Sequence, residues 1–199
     1  MTLLEEISPE ILRESSTPVL ETERLVLRAP RLEDAKAIAR LANDRRIAEN
    51  TTRIPHPYRI ADAEAFIGQV NAGDGELALL ITRDGEPIGA CGLAQLEGPA
   101  PDLGYWLGAP YWGNGYATEA ARALIDHAFT ALGCQVLQAG ARVTNPASRR
   151  VLEKCGFQWT GVGLYRIRAL NSSAPIDRFR LDRGIWTSLK SWGRVKRVV

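Results

Sequence analysis

Cysteine is scarce in this chain and histidine scarcer, three of the one and two of the other among 199 residues. Cys91, Cys134 and Cys155 are odd in number and none stands in a Cys-x-x-Cys spacing. That excludes a disulfide framework and a clustered zinc site, so no metal is expected and the compartment reads as cytoplasmic. No run approaches the ~20 apolar residues of a membrane-spanning helix. Met1 to Ser16 carries Glu5, Glu6, Glu10 and Glu14 and lacks the basic start and apolar run of a signal peptide. Charge of one sign is also missing: the net charge is +2. Of the 25 basic residues, Lys190, Arg194, Lys196 and Arg197 follow Trp186 with no acidic neighbour, leaving 21 against 23 acidic residues in the body. The excess therefore sits in a terminus of the kind that is usually solvated, and nucleic acid is not expected as a partner. No internal repeat or low-complexity segment is present.

What is there is enough for a core. With 45% hydrophobic and 24% charged residues, the length suits one globular domain. The expected division is an arm over 1–19, a domain over 20–184 and a basic tail over 185–199. Within the arm, Leu3, Leu4, Ile7, Ile11 and Leu12 keep helical spacing up to Pro18. Arg24-Leu25-Val26-Leu27-Arg28 alternates as a strand does, and Glu33-Asp34 open a helix with the stripe Ala35, Ile38, Ala39, Leu41, Ala42. From Asn43 to Ile60 the pattern fails in a polar, proline-stiffened loop containing Arg45, Arg46, Arg53, Pro55, His56, Pro57 and Tyr58. Loops of that length often carry function. Asp62 caps a short helix through Phe66 and Val70. Leu77–Ile81, the tight turn Asp84-Gly85 and Ile88–Leu93 make a hairpin. Gly89 and Gly92 thin its second strand and imply a close neighbour there.

Leu103–Leu107 reads as a further strand, delivering the chain to Tyr111-Trp112-Gly113-Asn114-Gly115-Tyr116-Ala117-Thr118-Glu119-Ala120. A glycine-bearing turn that runs into a helix exposes the first helical N–H groups, which have no intrahelical partner, at the positive end of the helix dipole. Such a place suits phosphate. The helix itself is strongly periodic, with Ala117, Ala120, Ala121, Leu124, Ile125, Ala128, Phe129 and Leu132 on one wide face, and Gly133 stops it. A mononucleotide or dinucleotide site is disfavoured, because the P-loop lysine is missing and no alternating βαβ pattern surrounds the turn. Val136–Ala139 is the next strand, Asn145-Pro146 opens another helix ending at Gly156, and Phe157–Ile167 and Ile176–Leu181 are final strands.

Six blocks in this order resemble the GNAT superfamily of acyl-CoA-dependent N-acyltransferases, and within it the branch that includes ribosomal-protein N-terminal acetyltransferases. They are Thr22-Glu23-Arg24-Leu25 with Leu27-Arg28, Glu33-Asp34-Ala35, Pro57-Tyr58, Gly104-Tyr105-Trp106, WGNGYATEA from Trp112, and Asn145-Pro146-Ala147-Ser148 leading to Lys154-Cys155-Gly156-Phe157. The resemblance covers about residues 20 to 184. It implies an α+β GNAT fold, a mixed and mostly antiparallel sheet of six or seven strands flanked by helices. It also implies transfer of an acetyl group from the cosubstrate acetyl-CoA to a primary amine by direct attack in a ternary complex. The acceptor is expected to be a protein N-terminus, such as that of a ribosomal protein, or a small amine, and the enzyme a monomer or homodimer.

By the same resemblance, the backbone of Gly113, Asn114, Gly115, Tyr116, Ala117 and Thr118 holds the pyrophosphate of coenzyme A. Trp106 and Leu107 line the pantetheine arm where their strand parts from Val136–Ala141, and a backbone N–H there polarises the thioester carbonyl. Asn145 is a coenzyme A contact as well as a helix cap. Amide formation needs an uncharged amine, hence a base. Asp102 matches the family's acidic position before Gly-Tyr, one methylene shorter than the usual Glu. The leaving thiolate needs a proton or a strong hydrogen bond. Much of the superfamily supplies it from a Tyr where this chain has Leu152, so Ser148 is the candidate. His56 and Tyr58 are candidates for acceptor contact. No cysteine stands at an obvious nucleophile position, which disfavours a covalent acetyl-enzyme. The departures at Leu152 and Asp102 leave open a non-catalytic acyl-CoA-binding module.

Overall fold

The computed structural model describes residues 17–73, 76–95 and 99–192. Two short strands, Leu20–Glu21 (β1) and Val26–Arg28 (β2), pair antiparallel at the start. A single 3-10 turn at Leu32–Asp34 leads into Ala35–Ala42 (α1). Helices Arg45–Ala48 (α2) and Ile60–Ala72 (α3) follow. The hairpin Leu77–Arg83 (β3) and Glu86–Ala94 (β4) precedes Asp102–Leu107 (β5) and Tyr116–Thr130 (α4). Val136–Arg142 (β6), Pro146–Lys154 (α5), Gln158–Ile167 (β7), Ser172–Asp182 (β8) and Arg183–Trp192 (α6) complete the described chain.

The strands form one sheet in the order β1-β2-β3-β4-β5-β6-β8-β7. All neighbours are antiparallel except β5 and β6. Eight strands replace the expected six or seven, because the two-residue β1 also joins the edge. Pairing between β5 and β6 is confined to Asp102 with Gln138 and Leu103 with Ala139. Beyond those residues the two parallel strands diverge and leave a wedge.

Side-chain alternation gives the sheet two apolar faces. On one, α4 buries Tyr116, Ala120, Ala121, Leu124, Ile125, Ala128 and Phe129 against Leu79, Leu103, Leu107, Leu137, Ala139 and Phe179. On the other, α1 and α3 bring Ile38, Ala63 and Ile67 over Leu80 and Tyr58. Burying a side chain the size of Leu or Phe contributes roughly 1.5–3 kcal/mol, so these two faces carry most of the drive to fold. The glycines of β4 mark the close approach expected of them. A Cβ at Gly89 would lie 2.2 Å from the Trp106 carbonyl oxygen, and one at Gly92 2.5 Å from that of Leu77.

Three boundaries moved for local reasons. The expected polar loop after Asn43 contains α2, because the Asp44 carboxylate accepts from Arg46 N at 2.9 Å and caps a helical turn. Helix α3 starts at Ile60, earlier than expected, with Asp62 in its first turn accepting from Arg59 N at 2.8 Å. A helix, α6, stands where a tail was expected: the Trp186 ring lies 5.2 Å from Phe129, and its indole donates to Asp126 Oδ1 at 2.7 Å. Lys190, expected in a solvated tail, pairs with the same carboxylate. The helical spacing of residues 3–14 and the cations Arg194, Lys196 and Arg197 lie outside the described residues. No helix among the described residues is long and apolar enough to cross a membrane.

Candidate active site

The turn before α4 is built to stay open. Gly113 and Gly115 have φ of +79° and +81°, which L side chains rarely adopt, and Trp112, Gly113, Asn114 and Gly115 are all exposed. Gly115 occupies the N-cap and has no side chain to cap the helix; the first α4 amide that reaches a carbonyl is Glu119 N, on Gly115 O at 3.1 Å. The amides of Tyr116, Ala117 and Thr118 thus face the turn as donors. Asn114 holds the turn's shape by donating from Nδ2 to Trp112 O at 3.0 Å and Tyr111 O at 3.3 Å. Only the backbone of Tyr116 belongs to the loop; its ring is buried beneath the Arg24 and Arg83 guanidiniums.

Two supports of this turn escaped the sequence reading. Glu119 accepts from Thr22 Oγ1 at 2.7 Å, from Arg24 N at 2.9 Å and from Arg24 Nε at 2.8 Å, while Arg24 Nη1 donates to Asn114 O at 3.1 Å. The first strand pair is thereby fastened to the start of α4. Partial burial pushes the Glu119 carboxyl up, but the hydrogen bonds from Thr22 and Arg24 outweigh it and hold the group below its ordinary range. The second support is Trp112, whose indole Nε1 donates to Leu107 O at 2.8 Å and whose ring carries the Arg46 guanidinium at 4.9 Å. Both partners of the first clasp stood in recognised blocks, yet nothing in the sequence paired residues 95 positions apart.

Along β5, alternate side chains serve different faces. Leu103, Tyr105 and Leu107 turn toward α4, and Trp106 packs against the cluster of Ile38, Tyr58 and Leu80. Leu107 is buried beside the wedge. The Tyr105 hydroxyl reaches the first turn of α5, 2.9 Å from Ser148 Oγ and 3.1 Å from Ser148 O. Burial pushes that phenol above its ordinary range. Asn145 accepts from Ser148 N at 3.1 Å as the α5 cap, and Leu152, one turn on, is fully buried.

Asp102 is 5% exposed and ion-paired to Arg178 Nη2 at 2.9 Å. Arg178 also donates to Gln138 Oε1 at 2.8 Å and lies 5.1 Å over the Tyr165 ring. The candidate base is therefore one member of a buried polar network at the narrow end of the wedge. His56 and Tyr58 are not brought together. His56 is exposed, whereas Tyr58 is 9% exposed in the second core, its amide donating to Asn43 Oδ1 at 2.9 Å. Burial raises the Tyr58 phenol to about 12.

Residues 49–52 are tied to β6 and to the turn after β7. Glu49 O accepts from Arg142 Nη1 at 2.9 Å and Thr52 O from Arg168 N at 3.0 Å. Among the described residues, Arg142 Nε and Asn50 Oδ1 are buried atoms without a hydrogen-bond partner. A groove of about 830 Å³ runs from Gly115 and Thr118 along the outer side of α4, past Arg122 and Lys154. It flanks the turn rather than the wedge. All three cysteines are buried, and burial raises the thiols, Cys91 to about 12 and Cys155 to about 11.

Comparison with known proteins places the family and the fold. A family model for the acetyltransferase (GNAT) domain matches residues 24–158. The uncharacterized N-acetyltransferase p20 of Bacillus licheniformis is 31% identical over 150 residues, covering 72% of this chain and 84% of its own. Mycobacterium smegmatis RimJ, solved in complex with CoA-disulfide, superposes with a TM-score of 0.76 at 22% identity, over 89% of this chain and 96% of its own. Spermidine N-acetyltransferase from Vibrio cholerae, solved with CoA and spermine, gives a TM-score of 0.70 at 20% identity, over 83% and 99%.

Proposed function

The chain belongs to the GNAT acetyltransferase family, and from that premise we infer that it moves an acetyl group from acetyl-CoA to a primary amine by direct attack. The observation that carries this reading is the adjacency of two features. The exposed glycine turn Gly113–Thr118 offers backbone donors for a pyrophosphate, and the wedge between β5 and β6 lies one 3-10 turn away from it along the chain. A phosphate held by N–H groups at a helix start needs no lysine, and Arg122 and Lys154 flank the turn. The strand edge at Trp106 and Leu107, unpaired with β6, suits the amides of a pantetheine arm.

In this reading the amine nitrogen attacks the thioester carbon. A backbone N–H between Tyr105 and Leu107 stabilises the developing oxyanion, and the carbon–sulfur bond breaks with its electron pair on sulfur. Asp102 takes the surplus proton through a water, because its carboxylate is one methylene shorter than the usual Glu and is held back by Arg178; the proton passes from the amine to the water as the water gives one to Asp102. Ser148 serves the leaving thiolate. The buried cysteines leave no route through an acetyl-enzyme.

For the acceptor, a protein N-terminus or a small amine is the class we propose. Neighbours of the same fold include RimJ and a spermidine N-acetyltransferase. A second reading, a non-catalytic acyl-CoA-binding module, draws on Leu152 and on the ion-paired state of Asp102. Thiol release from acetyl-CoA, measured across amines and peptides, separates the two. Acceptor-dependent release is expected; tight CoA binding without it would establish the second reading.

A further inference from the structure

The hydroxyls of Tyr105 and Ser148 bridge two elements that face each other across the wedge. Tyr105 stands on β5 two residues beyond the last residue paired with β6. Ser148 stands in the first turn of α5, with its amide fixed by Asn145. Leu152, where much of the superfamily has a tyrosine, carries no donor. In this chain a phenol arrives in the same neighbourhood from the opposite wall.

Proton counting gives the pair a direction. Each hydroxyl owns one hydrogen and can accept as well as donate. Tyr105 Oη has two acceptors within reach, Ser148 O at 3.1 Å and Ser148 Oγ at 2.9 Å. When Tyr105 donates to Ser148 Oγ, the serine's own hydrogen is left for a third group. When Ser148 donates to Tyr105 instead, Tyr105 spends its hydrogen on the serine carbonyl. The pair thus switches between a closed and an outward-donating arrangement by rotating two O–H bonds, with no heavy-atom movement. Burial keeps the phenol protonated, so the outward arrangement is neutral and available without prior ionisation.

We propose that Tyr105 is a positioning residue for the leaving group: its hydroxyl donates to Ser148 Oγ and thereby aims the Ser148 hydrogen at the sulfur of coenzyme A as the carbon–sulfur bond breaks. This rests on the acetyl-transfer reading above. Neither hydroxyl is deprotonated in the step. The electron pair passes to sulfur, the two aligned O–H dipoles stabilise the thiolate, and the thiolate takes its proton from water as the product departs. Chained hydroxyls polarise one another, so the effect of Tyr105 is felt only while Ser148 can pass it on. A structural staple between β5 and α5 would behave otherwise, because the hydrogen bond would then act on the folded state whatever the reaction.

The test is a double-mutant cycle on kcat with Tyr105→Phe, Ser148→Ala and their combination, together with Ser148→Thr. Melting temperature and KM for acetyl-CoA are followed in each. Tyr105→Phe keeps the ring and loses only the hydroxyl. It is expected to lower kcat about tenfold, and Ser148→Ala on the order of a hundredfold, as for hydrogen bonds to a charged group. The double variant is expected to match Ser148→Ala alone, and Ser148→Thr to retain both activity and its sensitivity to Tyr105→Phe. Two losses that multiply independently would overturn the proposal, and so would Tyr105→Phe lowering the melting temperature or raising KM with kcat unchanged. A wild-type chain inert toward every acceptor would overturn the acetyl-transfer reading and the proposal with it, an outcome distinct from an active wild type with an additive cycle.

Discussion

Trp112 Nε1 donates to the Leu107 carbonyl at 2.8 Å, tying the last residue of β5 to the turn that precedes α4. That bond satisfies a carbonyl at the strand edge beside the wedge and sets the path of the intervening four residues. Arg46, held by Asp44 at 2.6 Å, lies on the outer face of the same indole. Trp112→Phe keeps a ring for Arg46 and removes the donor. A lost neutral hydrogen bond costs about 1 kcal/mol of stability, so the variant is expected to melt about 2–4 °C lower and, with the turn loosened, to bind coenzyme A more weakly. Isothermal titration checks the affinity and a thermal melt the stability.

Gly115 sits at φ +81°, and a Cβ there would meet only Arg24 Nη2, at 3.6 Å. The fold therefore has space for a side chain, while the backbone angle and the ligand do not favour one. Gly115→Val is expected to abolish measurable CoA binding and to destabilise the chain by about 1–2 kcal/mol. Unchanged affinity in a folded variant would remove the turn from the binding site.

Acid should loosen the same turn from below. The folded-state Glu119 carboxyl lies below its ordinary range, as does that of Asp34, whose burial is outweighed by hydrogen bonds from Arg28 and Arg31. A depressed carboxyl contributes stability that is fully present above the unfolded pKa and is lost as pH falls through the folded one. Stability and CoA affinity should thus be flat near neutrality and decline together below the ordinary carboxylate range. Glu119→Gln should flatten its share of that decline, as denaturant titrations at a series of pH values would record.

Asp102→Asn keeps the shape of the buried pair and removes the charge that faces Arg178. The acetylation rate is expected to fall mainly near neutral pH and to recover where the amine is already uncharged. A loss equal at all pH values would assign Asp102 to structure instead. Arg178 is partly exposed and keeps its bond to Gln138, so a cost of about 1–3 kcal/mol in stability is expected alongside.

The thiols should be silent. Cys91, Cys134 and Cys155 are buried with raised pKa values, so alkylation at neutral pH should be slow until the chain is unfolded. Single replacements by Ala or Ser should leave acetyl transfer running. Radiolabel retained on any one cysteine after acetyl-CoA alone would contradict direct attack.

Local signals in the sequence reached as far as local physics does. The periodicity of Ala120, Leu124, Ala128 and their neighbours, the Asn145-Pro146 cap and the Asp84-Gly85 turn each depend on a few adjacent residues, and each stands where expected. The glycines of the α4 turn were legible for the same reason. What was not legible depends on distance along the chain. Arg24 with Glu119, Arg178 with Asp102, and Trp186 with Asp126 are pairs that only the tertiary fold creates. Tyr105 shows the limit from the other side: its strand position was clear, but its hydroxyl partner lies on a helix 43 residues later.

The two register pairs between β5 and β6 give the molecule a seam down the middle of its sheet, crossed mainly by the apolar face of α4. Backbone bonds that most sheets make to themselves are confined here to two positions. On the proposed reading, a cosubstrate seated in the seam would become, while it stays, a ninth strand. It should knit the two half-sheets into one cooperative unit, slowing amide exchange on both flanks at once and raising stability by about 2.7 kcal/mol at a hundred times its Kd.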